Sequence, residues 1–138
     1  MTTQRTQFSD LIGHTFSAVE NVKVDERDDV LRFTRSDGRV FEFYHEQDCC
    51  ETVEIEDITG SLADLVGAPM TLADEAVHDN DTPEGTAAPD DVDDSYTWTF
   101  YRFATVLGFV TVRWLGLSNG YYSESVSFRE VGRLRNPR

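Results

Sequence analysis

Two groups of residues in this chain of 138 have types and spacing that could do chemistry. The first is the run Tyr44-His45-Glu46-Gln47-Asp48-Cys49-Cys50-Glu51. An imidazole four residues before a thiol could take the proton of Cys49 and leave a thiolate nucleophile. His45, Asp48 and Glu51 could instead hold a divalent cation through nitrogen and oxygen. A plainer reading has Asp48 closing an Asx-type turn while the cysteines pack as small apolar side chains. No spacing here matches a zinc or nucleophile signature, and no third charged group is evident to orient a Cys-His pair. The plain reading is therefore preferred, with no metal and no cofactor expected. Adjacent Cα atoms lie about 3.8 Å apart, below the usual disulfide range, so two reduced, buried thiols are expected.

The second group is Arg102 and Arg113. Pairing the flanking strands about a Leu107-Gly108 turn sets these arginines directly opposite each other, on a face shared with Trp98. Opposed like charges are unfavourable unless something neutralises them. One solution is an anion site, in which two guanidinium forks grip a phosphate and Trp98 covers a base or ring. The other is neutralisation from within, with Glu124 falling beside Arg113 and the acids of residues 42–57 reaching Arg102. His14 and His78 stand alone and are read as surface residues. Glu54, Glu56 and Asp57 lie too close together on one strand to read as a glycosidase pair. Glycine-rich phosphate loops and nucleophile elbows are absent.

Charge narrows the partners. The chain has 12 basic and 26 acidic side chains, a net charge of −14. Residues 42–57 hold seven acids and residues 74–94 hold nine, with no lysine or arginine in either stretch. Such a field repels nucleic acid, whose binding needs a positive footprint. The last ten residues reverse the sign, with Arg129, Arg133, Arg135 and Arg138 against Glu130 alone. No apolar run approaches the ~20 residues of a membrane span. The first residues lack the apolar core of a secretion signal, so a cytoplasmic location is expected.

The elements that must position these groups are mostly strands. Apolar and β-branched alternation predicts strands over 14–24, 30–35, 39–45, 50–58, 69–77, 95–106, 109–117 and 121–128. Asp37-Gly38 and Asn119-Gly120 are two-residue hairpin signals. Phe8–Ile12 and Leu62–Val66 read as single helical turns, the second capped by Ser61. Residues 78–94 read as an acidic loop or disordered insertion, and residues 129–138 as a basic tail. The fold expected is one mostly-β domain, α+β at the margin. Its strands form a single curved antiparallel sheet, or a small barrel or sandwich, with one or two short helices. Open sheet edges in so small a protein argue for a homo-oligomer.

The Tyr44–Glu51 run resembles the core of an uncharacterised family of small proteins encoded by actinobacteria and their phages. Glu54-Ile-Glu-Asp-Ile58, Gly60, Leu62, Asp64-Leu65, Gly67 and Ala73-Asp-Glu75 share in that resemblance, over about residues 10–128. It implies a setting rather than a mechanism: a non-enzymatic phage or prophage accessory protein acting in the host cytoplasm. Its ligand would be a host protein or a small anionic, nucleotide-like molecule, captured as in counter-defence by sequestration. The alternatives are a cysteine- or metal-dependent hydrolase built on His45, Asp48, Cys49 and Glu51, or a structural or assembly protein of the virion.

Overall fold

A strand that alternates apolar and polar residues buries one face only, so two such sheets bury their apolar faces against each other. The computed structural model describes residues 7–25, 28–84, 86 and 95–133, and arranges them in this way. Strands β1 (Phe16–Val24), β2 (Asp28–Arg35), β3 (Arg39–Tyr44) and β8 (Ser127–Arg133) form one antiparallel sheet in the order β1-β2-β3-β8. Strands β4 (Thr52–Thr59), β5 (Leu72–Asp79), β6 (Ser95–Thr105) and β7 (Gly108–Ser118) form the second, in the order β4-β7-β6-β5. Of the architectures expected, the two-sheet sandwich is the one found, and the helical content is two 3-10 turns, Phe8–Leu11 and Leu62–Leu65.

The core is aromatic. Phe33, Phe41 and Phe43 of the first sheet meet Tyr101, Phe103 and Trp114 of the second, all of them buried. Phe33 and Phe103 lie 5.0 Å apart between ring centroids, and Phe43 and Tyr101 lie 4.6 Å apart. Each such ring contributes roughly 2–3 kcal/mol through burial alone. Phe8 and Leu11 of the first 3-10 turn close one side of the gap, with Phe8 5.7 Å from Tyr101. Asp29 joins the sheets through polar contact: its Oδ2 accepts the Ile55 N–H at 2.8 Å, beside a bulge in β4.

The core also corrects two registers. Between β2 and β3 the turn is Ser36-Asp37-Gly38, three residues long, with Gly38 at φ 94°. Thr34 therefore pairs with Val40 and Arg32 with Glu42, one residue away from the Thr34–Phe41 and Arg32–Phe43 pairing that a two-residue Asp37-Gly38 turn sets. A one-residue slip exchanges the faces of a strand. Here it turns Phe41 and Phe43 inward beside Phe33.

Between β6 and β7 the turn is Val106-Leu107, and Thr105 pairs with Gly108. Thr105 shapes that turn, since its hydroxyl accepts the Leu107 N–H at 3.1 Å. Gly108 is needed for close approach, because a Cβ there would lie 2.5 Å from a carboxylate oxygen of Asp64.

The expected strand over 121–128 is the largest displacement. After Gly120 (φ 91°) the chain leaves β7, runs irregularly through 121–126, and crosses to pair with β3 as β8. Arg129 to Arg133, read as the start of a tail, form most of β8; residues 134–138 lie outside the described residues. Of the expected loop at 78–94, His78 and Asp79 belong to β5. Asn80 then pins the exit to Tyr96, while residues 85 and 87–94 lie outside the described residues.

Candidate binding cleft

The Tyr44–Glu51 run is a surface loop between β3 and β4, tied together by one carboxylate. Glu51 is buried, and it accepts the backbone N–H of Asp48 and of Cys49, each at 2.9 Å. His45 Nε2 lies 2.8 Å from the same carboxylate. Gln47 closes the loop from outside, donating to the Glu51 carbonyl at 2.6 Å. Burial pushes the Glu51 carboxyl up, but hydrogen bonds from His45, Cys49 and Asp48 outweigh it and hold it at about 2. His45 and Glu51, the two groups of the run best suited to proton transfer, are thus engaged in hydrogen bonds that hold the loop.

Cys49 and Cys50 correct an expectation. They are exposed, and they are bonded to each other. The loop carries them away from the core, so they do not pack as buried thiols. In this state Cys49 offers no thiolate to His45, and Asp48 is exposed at the loop surface. Among the described residues no group of three or more His, Cys, Asp or Glu is placed to hold a metal ion.

The arginine pair is also displaced by the corrected register. Arg102 lies opposite Thr111 and Arg113 opposite Phe100, so the two are diagonal neighbours on one face. Each has its own acid. Arg102 is gripped in bidentate fashion by Asp74, at 2.9 and 2.6 Å, and this raises its guanidinium above the usual range. Arg113 pairs with Glu56 and lies 5.3 Å over the Trp98 ring. Trp98 is covered on this face, only 2% exposed, with Thr82 beside its indole nitrogen. The carboxylates differ from those expected, for Glu124 is on the opposite face.

That neutralisation is general. Lys23, Arg32, Arg35, Arg39, Arg102, Arg113 and Arg129 each lie within 3.1 Å of a carboxylate. These are all the lysines and arginines whose side chains are described. The acids are in surplus, and three of them, Glu75, Asp79 and Glu124, line one cleft.

The cleft, about 580 Å³, opens between edge strand β5 and the segment 122–126. Its floor is the inward face of β6, where Thr97 and Thr99 are buried. Glu75 and Asp79 line it from β5, and Glu124 from the crossing segment. The Thr97 hydroxyl sits 2.6 Å from Glu124 Oε1 and 3.0 Å from Asp79 Oδ1. A hydroxyl has one proton to give, so two carboxylates share a single donor. Ser118 supplies a second hydroxyl to Glu124, and Tyr101 donates its own to Glu75. Burial and that acid together hold the Tyr101 phenol well above its usual range. The Thr99 hydroxyl has no hydrogen-bond partner among the described residues, although Thr99 is 3% exposed and borders the cleft.

Sequence reasoning gave these cleft residues no site role: Glu75 entered only through the resemblance, and Glu124 was placed on the wrong face. The signal was present in the acids of β5 and in the run of threonines at alternate positions of β6. A strand whose inward face reads Thr97, Thr99, Tyr101 cannot be wholly covered by apolar side chains.

The His45 ring connects this cleft to the Tyr44–Glu51 run. Its Nδ1 donates to the carbonyl oxygen of Ser125 at 2.7 Å, so the loop holds one wall of the cleft in place.

No curated protein and no solved structure matches the chain. The sequence pattern of one family, described as a domain of unknown function (DUF7448), matches residues 9–128. That span is most of the chain, and it holds the Tyr44–Glu51 run, every strand from β1 to β7 and the whole of the cleft; the protein belongs to the DUF7448 family.

Proposed function

We propose that this protein is a non-enzymatic binding protein that captures a basic partner at the β5 cleft. The observation that carries this reading is the Thr97 hydroxyl shared between Asp79 and Glu124, with the Thr99 hydroxyl, unpartnered among the described residues, beside it. Two carboxylates competing for one proton, in a part-buried cleft, are best relieved by a cation that enters it. The phage or prophage setting implied by the Tyr44–Glu51 resemblance makes this an accessory protein of the host cytoplasm, working by sequestration of a host protein.

The small anionic ligand loses support, because each described guanidinium already has its carboxylate. The hydrolase loses support too, because Glu51 and His45 are engaged in closing their own loop. The test is a set of melting curves with spermidine, with pentalysine and with a panel of nucleotides. Cations should raise the melting temperature in a concentration-dependent way, and Glu75→Gln with Asp79→Asn should remove the rise. A rise with nucleotides that disappears in Arg102→Gln would overturn the reading and restore an anion site.

A further inference from the structure

The cleft is bordered by β5, an edge strand of its sheet, and the phase of its outer edge is fixed. The Asn80 N–H donates to the Tyr96 carbonyl at 2.7 Å, in register with the pairing of His78 with Trp98 and Ala76 with Phe100. In an antiparallel ladder, hydrogen-bonded pairs recur at every second residue. Even-numbered residues of β5 therefore turn their N–H and C=O groups toward β6. Glu75, Val77 and Asp79 turn theirs outward, and those groups have no hydrogen-bond partner among the described residues. The same three residues point their side chains into the cleft, and Val77 is 49% exposed.

We propose that β5 is a docking edge for an extended basic segment of a partner protein, which adds to the second sheet as a fifth strand. The proposal rests on the cation-capturing reading of the cleft and deepens it. An added strand alternates its side chains, so every second one enters the cleft. Opposite Glu75, Val77 and Asp79 the complementary order is basic, apolar, basic, each separated by one residue. Opposite-charge and β-branched cross-strand pairs favour that order. The inner basic side chain reaches Asp79 and Glu124, and the Thr99 hydroxyl is free to accept from it. A second copy of β5 is a poorer occupant, since antiparallel pairing about Val77 would set Glu75 against Asp79. Like charges directly opposite are unfavourable.

The test uses the full chain and isothermal titration with three peptides and spermidine. The first peptide is Thr-Lys-Thr-Val-Thr-Lys-Thr. The second has the same composition in the order Thr-Thr-Lys-Lys-Val-Thr-Thr, and the third replaces the central Val of the first by Pro. The first peptide should bind at least tenfold more tightly than the other two. Val77→Pro should abolish that preference while the protein still unfolds cooperatively in a thermal melt. It removes an edge N–H that the ladder does not use, and an edge strand tolerates proline there. Equal binding of all three peptides would overturn strand addition and leave cation capture standing. Failure of spermidine and every peptide to bind would overturn both. Self-association that Val77→Pro removes would show that the edge belongs to a second copy, and would also overturn the proposal.

Discussion

His45 is held between two acceptors, Nε2 at 2.8 Å from the Glu51 carboxylate and Nδ1 at 2.7 Å from the Ser125 carbonyl. Both partners are acceptors, and the ring ties the loop before β4 to the segment that walls the cleft. Its side chain is 5% exposed and that of Glu51 is fully covered. Three stretches of chain meet there: the end of β3, the loop before β4, and the wall of the cleft. The relationship explains why a run rich in catalytic residue types has a structural job.

The Glu51 carboxyl sits at about 2 in the folded protein against 4.5 for the free side chain. A depressed carboxyl contributes stability that is complete above the unfolded value and is lost as pH falls toward the folded one. Acid unfolding should therefore carry a Glu51 component between pH 4.5 and about 2. In Glu51→Gln that component should vanish, and stability at neutral pH should fall by roughly 2–3 kcal/mol. Urea melts of both proteins at neutral pH and across this window measure it. An unchanged acid limb in the variant would show that the loop does not depend on the charge.

Arg113 makes two contacts at once, an ion pair with Glu56 and a cation–π contact with Trp98. Both are partly exposed, and each kind of contact is worth roughly 0.5–1 kcal/mol in such a setting. Arg113→Gln should lower stability by about 1 kcal/mol, and 1 M salt should reduce the difference. Arg102→Gln should also destabilise rather than relieve repulsion, because it strands Asp74. Thermal melts at low and high salt read both outcomes. Stabilisation by either change would mean that the arginines repel more strongly than their acids attract.

Much of the fold was legible because β-branched and aromatic alternation is a local signal. Each of the eight strands was anticipated within a few residues except β8. Registers were less legible. The Asp37-Gly38 pair signals a turn, but whether Ser36 joins it is decided by which face Phe41 and Phe43 must fill. The Val106-Leu107 turn has no glycine at all, and Gly108 leaves room for the Asp64 side chain of the second 3-10 turn. The Asn119-Gly120 signal was real as a turn and misleading as a hairpin. Whether a chain returns to the same sheet or crosses to the other depends on which edge is vacant. The cleft was hidden for the same reason, since it exists only because the chain crosses at 121–126.

That crossing depends on Gly116. A Cβ added there would meet the Glu124 Cβ at 2.7 Å and the Glu124 carbonyl oxygen at 2.8 Å. The obstruction is backbone as well as side chain, so it cannot be relieved by a rotamer change. Gly116→Ala should cost roughly 1–3 kcal/mol, the usual penalty of overpacking. It should also weaken pentalysine binding by displacing Glu124, while leaving the Glu51 acid limb in place. Calorimetric melts and titration of the same sample check both effects, and intact binding in a destabilised variant would separate Glu124 from the site.

The shared hydroxyl of Thr97 makes the final prediction the most specific. Thr97→Val keeps the shape of the side chain and removes the donor that Asp79 and Glu124 divide between them. Glu124 is 9% exposed and keeps Ser118 as a partner, so it is weakened and not orphaned. Leaving a buried acceptor short of a donor costs roughly 1–3 kcal/mol, and the free protein should lose stability by that amount. A cation bound in the cleft supplies the missing charge, so the gap between wild type and variant should narrow when spermidine is saturating. Thr97→Ser returns the hydroxyl while losing a methyl group, and should recover most of the loss. A gap that spermidine leaves unchanged, with no recovery in the serine variant, would mean that the hydroxyl does not organise the two acids.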